Sequence, residues 1–260
     1  MIDGVNKLLD ATGKAIETVP DLYDDSLKPT VQESGKIISI IPKTINAALV
    51  PLRKWIANKE YSLAETEKLL EKKLEHIGEE KIVTPEAYVA VPAIQAISYS
   101  MDNKELRNLY ANLLAKSMNV DTKNKVHPSF VEIIKQMSPV DAIVFKNIFE
   151  TIITPIIDLY IKTPGGGQNY HQNNISWMES ASYDIILVSL DNLVRLGLIE
   201  IPYGISYTDD NNYEHIRKTT SYIKIKAELE ALNKGSVTES KKTIKKTALA
   251  YSFYKICVKD

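Results

Sequence analysis

The chain has 260 residues, with 32 Lys and Arg against 33 Asp and Glu, a formal net charge of −1, 44% hydrophobic and 25% charged residues. That balance excludes a uniformly basic nucleic-acid coat and an acidic tail protein, and a composition this close to the globular average excludes a wholly disordered chain. Cys257 is the single cysteine, so no internal disulfide can form.

The chain starts MIDGVNKLLD, with no basic segment leading into an apolar core, so no secretory leader is expected and a reducing cytosol is the expected location. Residues 1–35 carry net −4, from seven acids and three lysines, and residues 19–29 read as a connecting loop. Residues 35–57, GKIISIIPKTINAALVPLRKWIA, mix apolar and basic residues. Ile40, Leu49, Leu52, Arg53 and Trp55 suit a stretch at a membrane surface or on a partner. The competing reading is one or two short helices packed on the main body, because Pro42 and Pro51 divide the segment.

From there to about residue 162 the sequence reads as capped helices. Ser62 with Glu65, Asp102 with Glu105, Ser129 with Glu132, and Ser138 with Pro139 and Asp141 each set a side-chain acceptor before an acid three residues on. Thr84-Pro85 opens a further helix that Pro92 should kink or interrupt. The longest uncharged stretch, residues 87–101, falls short of the roughly 18 apolar residues needed to cross a bilayer.

The run TPGGGQNYHQNN, residues 163–174, is expected to be an exposed loop. Residues 182–197 predict a helix with Ile185, Ile186, Leu190, Leu193 and Val194 inward and Gly197 as its stop. Strands are predicted at residues 198–201 and 222–226, and a last helix at residues 247–257. This order resembles a winged-helix unit. The expected fold class is mainly α, with helices through residues 1–57 and 58–162 and a winged-helix-like α+β domain over 163–260.

Chemical motifs are sparse. His76, His127, His171 and His215 have no second ligand at metal spacing, the Gly165-Gly166-Gly167 run lacks the Lys-Ser/Thr pair of a P-loop, and Cys257 lies in an apolar helix where a thiol is inert. No metal and no cofactor is expected. His127 could serve as a general base or could fix the start of the helix that follows it. Residues 216–260 carry eleven basic residues against four acids, net +7. Lys224 and Lys226 on one strand face, with Lys241, Lys242, Lys245 and Lys246 at helical spacing, would form a patch for phosphate backbones. The alternative is a solvated face, since only Arg217 offers a bidentate fork.

Several stretches resemble the abortive-infection alpha (Abi-alpha) family of bacterial proteins. They are Ile82-Val83-Thr84-Pro85 with Val91-Pro92-Ala93, ELRNLYANLLAKSM (105–118) and above all HPSFVEIIKQMSP (127–139). Residues 23–36 and 48–56 are similar to its N-terminal part, and residues 193–201 and 247–257 to its more variable C-terminal part. The resemblance implies an anti-phage protein that helps an infected cell stop supporting phage growth. His127, Pro128, Ser129, Phe130 and Glu132 stand at its signature positions, with no catalytic role implied. The expectation is a non-enzymatic sensor or effector in the cytoplasm, peripheral to the inner membrane, triggered by a phage or host protein. The alternative is a nucleic-acid-binding regulator or effector using the basic C-terminal region. A membrane surface, nucleic acid and a second copy of the chain are the expected partners.

Overall fold

The computed structural model describes residues 60–100 and 102–259. The expectations for residues 1–57, including Ile40, Leu49, Leu52, Arg53 and Trp55, lie outside the described residues. The chain is mainly helical with a small antiparallel sheet, and it divides into two compact units, one running to Lys135 and the other spanning Gln136–Lys259.

In the first unit, helices α1 (Glu60–Leu74), α2 (Ala87–Tyr99), α3 (Lys104–Ser117) and α4 (Ser129–Lys135) pack together. Helix α1 already runs at Glu60, so Ser62 is not its cap. Pro92 sits inside α2 without interrupting it. It removes one backbone bond, the one toward residue 88, and Tyr88 stands on the exposed side at 60%, where water reaches the helix. The cap of α3 is Asn103 rather than Asp102: its side chain accepts from the Leu106 N–H at 3.1 Å. Leu70, Leu74, Ala93, Ile97, Leu113, Leu114, Phe130 and Ile134 are buried, at the three-and-four spacing that sets one face of each helix inward.

The second unit opens with α5 (Pro139–Glu150). Its start is the reciprocal box that the sequence predicts: the Asp141 N–H donates to Ser138 Oγ at 3.1 Å and the Ser138 N–H to Asp141 Oδ2 at 2.7 Å. Strands β1 (Pro155–Lys162) and β2 (Gln168–Ile175) then form a hairpin. Residues 163–174, expected as a loop, are therefore a turn and an edge strand. Almost all of β2 faces solvent, so nothing in QNYHQNN had to alternate with apolar residues. Two bulges bend it, and Tyr170 and Asn174 take φ of 57° and 55° there.

Helix α6 (Tyr183–Arg195) and its stop at Gly197, φ 71°, match the sequence reading. Ile186, Leu190 and Leu193 point inward as expected, whereas Ile185 (49%) and Val194 (40%) are exposed. After β3 (Ile199–Glu200), a 3-10 turn (Asp210–Tyr213) leads into α7 (Glu214–Arg217) and α8 (Thr220–Ala231). Residues 222–226, expected as a strand, lie inside α8. The alternation Ile-Lys-Ile-Lys suits a strand locally, but the Thr219 hydroxyl accepts from the Tyr222 N–H at 3.2 Å and caps a helix. Tyr222, Ile225 and Leu229 then fall on one buried face. The second strand on which the winged-helix-like order rested is thus a helix.

Strand β4 (Ser236–Thr243) pairs antiparallel with β1 along its length, giving a sheet of order β2-β1-β4, and β5 (Lys245–Lys246) pairs with β3. The chain ends in α9 (Ala248–Phe253), capped by Thr247, and a π-helical turn (Tyr254–Val258). The sheet's inner face, Ile157, Leu159 and Ile161 with Ile175, packs on Tyr213, Ile216, Tyr222, Ile225 and Leu229. Burying each such aliphatic side chain contributes about 1.5–3 kcal/mol, which α7 and α8 collect by covering one face of the sheet. Cys257 is fully buried and burial pushes its thiol well above the usual range, which keeps it unreactive.

Candidate functional site

The signature residues gather at the start of α4. Ser129 N–H donates to His127 Nδ1 at 3.1 Å, and the Ser129 hydroxyl lies 2.6 Å from the same nitrogen. A nitrogen that accepts from a backbone N–H carries no proton, so neutral His127 holds its proton on Nε2 and the hydroxyl also donates to Nδ1. The next two N–H groups of the turn are satisfied as well, Phe130 by the His127 carbonyl at 3.0 Å and Val131 by the Pro128 carbonyl at 3.2 Å. His127 therefore fixes the helix start through both its ring and its carbonyl. Phe130 anchors the helix by burial, its ring centroid 6.0 Å from that of His127, and Glu132 is tied to Lys135 at 3.1 Å. The Ser129 hydroxyl and N–H both lie on Nδ1, so the ring is tied to the first turn of the helix that follows it, an arrangement that orients backbone.

The six lysines of the expected patch do not form one face. Lys224 and Lys226 are two apart on a helix, where side chains diverge, and stand 3.9 Å from Glu228 and Glu230 respectively. Lys241, Lys242, Lys245 and Lys246 lie on strands β4 and β5 rather than on a helix. Lys241 and Lys242 consequently point to opposite faces of the sheet. Lys241 reaches Asp210 at 2.5 Å. Lys242, mostly buried, bonds Asp158 at 2.8 Å and Asn174 Oδ1 at 2.5 Å; Asp158 also accepts the Asn174 N–H at 2.8 Å, which holds the β2 bulge. Lys246 Nζ caps the C-terminal end of α5, donating to the Thr151 carbonyl at 3.0 Å and lying 5.1 Å from the Phe149 ring, and burial lowers its pKa. Lys245 is exposed, across from Glu200.

Arg217 does have the bidentate fork that the sequence suggested, but it is spent internally. Nε and Nη2 donate to Glu239 at 3.0 and 2.7 Å, Nη1 and Nη2 to Asp210 at 3.1 and 2.8 Å, and Nη1 to Glu214 at 2.8 Å. Those five bonds use all five guanidinium donors. The Tyr222 hydroxyl adds a bond to Glu239. The guanidinium holds the Glu239 and Asp210 carboxyls below the usual carboxylate range, Asp210 far below it with Lys241 helping. This network ties α7 and α8 to β4. The spacing of Asp210, Glu214 and Arg217 was visible in the sequence as a helical charge pattern, whereas Glu239 arrives from a distant strand and could not be read there.

Two loops escaped the sequence reading. Ile152 (95% exposed) and Ile153 (37%) sit between α5 and β1, and Tyr203 (101%) and Ile205 (40%) follow β3. The Pro202-Tyr203-Gly204 turn was the available signal. Among the described residues no group of three or more His, Cys, Asp or Glu could hold a metal ion, and no helix is long and apolar enough to cross a membrane.

Residues 58–257 match the Abi_alpha family, abortive infection alpha. The chain belongs to the abortive infection alpha family. The His127-to-Glu132 run of this Abi_alpha chain lies inside the matched span, as do both loops and the Arg217 network. Among solved structures it is similar to an uncharacterized protein from the hydrocarbon-degrading marine bacterium Alcanivorax borkumensis SK2. The identity is 16% over 50% of this chain and 92% of that one, at a TM-score of 0.33, too distant to bear on the fold. No curated protein matches the chain.

Proposed function

We propose that this protein is a bacterial anti-phage protein acting in abortive infection, and that it works by binding rather than by catalysis. The observation that carries the reading is the Abi_alpha match across residues 58–257. The local chemistry supports the second half: the His127 ring nitrogen is engaged at a helix start, Cys257 is a buried thiol of raised pKa, and Arg217 is saturated by carboxylates. A phage or host component acts as the trigger. The nucleic-acid alternative draws less support, since Lys241, Lys242 and Lys246 already serve Asp210, Asp158 and the end of α5.

Plating efficiency tests the reading. A phage panel spread on bacteria expressing the protein should form far fewer plaques than on bacteria with an empty vector. Equal plaque numbers across a broad panel contradict it.

A further inference from the structure

Strand β4 is an edge. It pairs with β1 at every residue from Ser236 to Thr243 with no bulge, and among the described residues no strand lies on its other side. Thr154 and Ile244 continue the same register, and there the Ile244 N–H donates to the Thr154 carbonyl at 2.9 Å. In an antiparallel ladder the residues that exchange bonds with one neighbour alternate with those that turn away from it. The even-numbered residues of β4 therefore face β1, and Val237, Glu239, Lys241 and Thr243 turn their N–H and carbonyl groups to the outer edge.

The two edges of the sheet differ. Bulges break β2, with Tyr170 and Asn174 at positive φ, and a bent edge is a poor template for another strand. The eight residues of β4 carry no such device. Lysine can also guard an edge, but Lys241 is drawn to Asp210 and Lys242 to Asp158, so both charges are met within the chain.

Peptide groups on an edge are met by another backbone, and the charge order of β4 selects its own sequence as the partner. Two identical edges that pair antiparallel are related by a two-fold axis through one residue. An axis at Glu239 sets Glu239 against its own copy, and one at Lys241 sets lysine against lysine. One at Thr238 places Lys241 opposite Gly235, outside the strand. An axis at Ser240 sets Glu239 opposite Lys241 of the second copy on both sides of the axis and Val237 opposite Thr243, which engages all four outward residues. Opposite charges directly across a sheet stabilise it and like charges destabilise it. We propose that β4 pairs with β4 of a second copy about an axis at Ser240, joining the two three-stranded sheets into one. This goes beyond the abortive-infection reading and does not depend on it, because association is read on purified protein without phage.

Sedimentation velocity of the full chain, together with cysteine cross-linking, tests the pairing. The parent should sediment as a dimer at micromolar concentration. Residues on the axis form a pair whose Cα atoms are about 4.5 Å apart, within disulfide range. Ser240 is exposed, so oxidised Ser240→Cys should run as a dimer on a non-reducing gel. Ser236 is exposed on the same strand but faces Ile244 of the second copy in this register, so Ser236→Cys should stay a monomer on that gel. The buried Cys257 keeps the parent out of the reaction. Ser240→Lys sets two ammonium groups across the axis and should sediment as a monomer with the circular dichroism of the parent. A parent that is monomeric at every concentration overturns the proposal. So does a Ser240→Lys dimer, or cross-linking of Ser236→Cys as fast as that of Ser240→Cys.

Discussion

Arg217 closes a planar fork on Glu239, Nε to Oε1 at 3.0 Å and Nη2 to Oε2 at 2.7 Å, across 22 residues of sequence. Both side chains are about one-fifth exposed, so the pair is partly screened, and its value lies in geometry as much as charge. Arg217→Lys should destabilise the protein by about 1–2 kcal/mol in urea unfolding, because an ammonium cannot span two carboxylate oxygens and leaves Asp210 or Glu214 unserved. A midpoint within error of the parent would show that the network contributes nothing.

The same pair sets an acid limit. Arg217 first, and the Tyr222 hydroxyl second, hold Glu239 below its ordinary value of 4.5, against a burial effect that opposes them. A carboxyl with a depressed native pKa contributes stability that is whole above its unfolded value and is lost as pH falls through the native one. Glu239→Gln should therefore lower the unfolding midpoint at pH 7. The gap between variant and parent should narrow as the buffer is taken below 4.5. A gap that is constant with pH would contradict the assignment.

His127 orients the start of α4 and does no chemistry in this account. His127→Ala removes the Nδ1 acceptor while the backbone carbonyl stays, so the expected loss is about 0.5–1 kcal/mol, and His127→Asn should recover most of it with a side-chain oxygen near the same N–H. Phage protection should follow folded protein level in both variants. Full stability with abolished protection in His127→Asn would point to a chemical role for the imidazole.

The lysines separate into structural and solvated ones. Lys242→Ala strips the mostly buried Asp158 of its cation and loosens the Asn174 bulge, with an expected loss of about 1–3 kcal/mol, while Lys245→Ala should fall within about 0.5 kcal/mol of the parent. Differential scanning fluorimetry of the two variants side by side reads this directly. Equal effects would mean that Lys242 is no more than a surface charge.

Features carried by local chemistry were legible in the sequence. The Ser138–Asp141 box, the Gly197 stop and the closing helix capped by Thr247 each depend on residues within a few positions of one another. The misreadings fell where a distant partner decided the outcome. Tyr222-Ile-Lys-Ile-Lys becomes a helix because Tyr222, Ile225 and Leu229 meet the sheet's inner face, and Gln168–Ile175 becomes a strand because β1 supplies its bonds. Periodicity carries no trace of a strand that buries so little. The family resemblance was readable through residues 127–139, but Glu239, which closes the fork of Arg217, and Asp158, the partner of Lys242, lie 22 and 84 positions away. A count of basic residues near the C-terminus could not foresee that carboxylates from elsewhere would occupy them.

Growth of phage-challenged cultures at low and at high multiplicity separates abortive infection from rescue of the infected cell. Cells carrying the protein should survive as a culture when few are infected, and should collapse early, before a normal burst and with few progeny, when nearly all are infected. Survival of the culture at both multiplicities would contradict it, since infected cells would then be rescued rather than sacrificed.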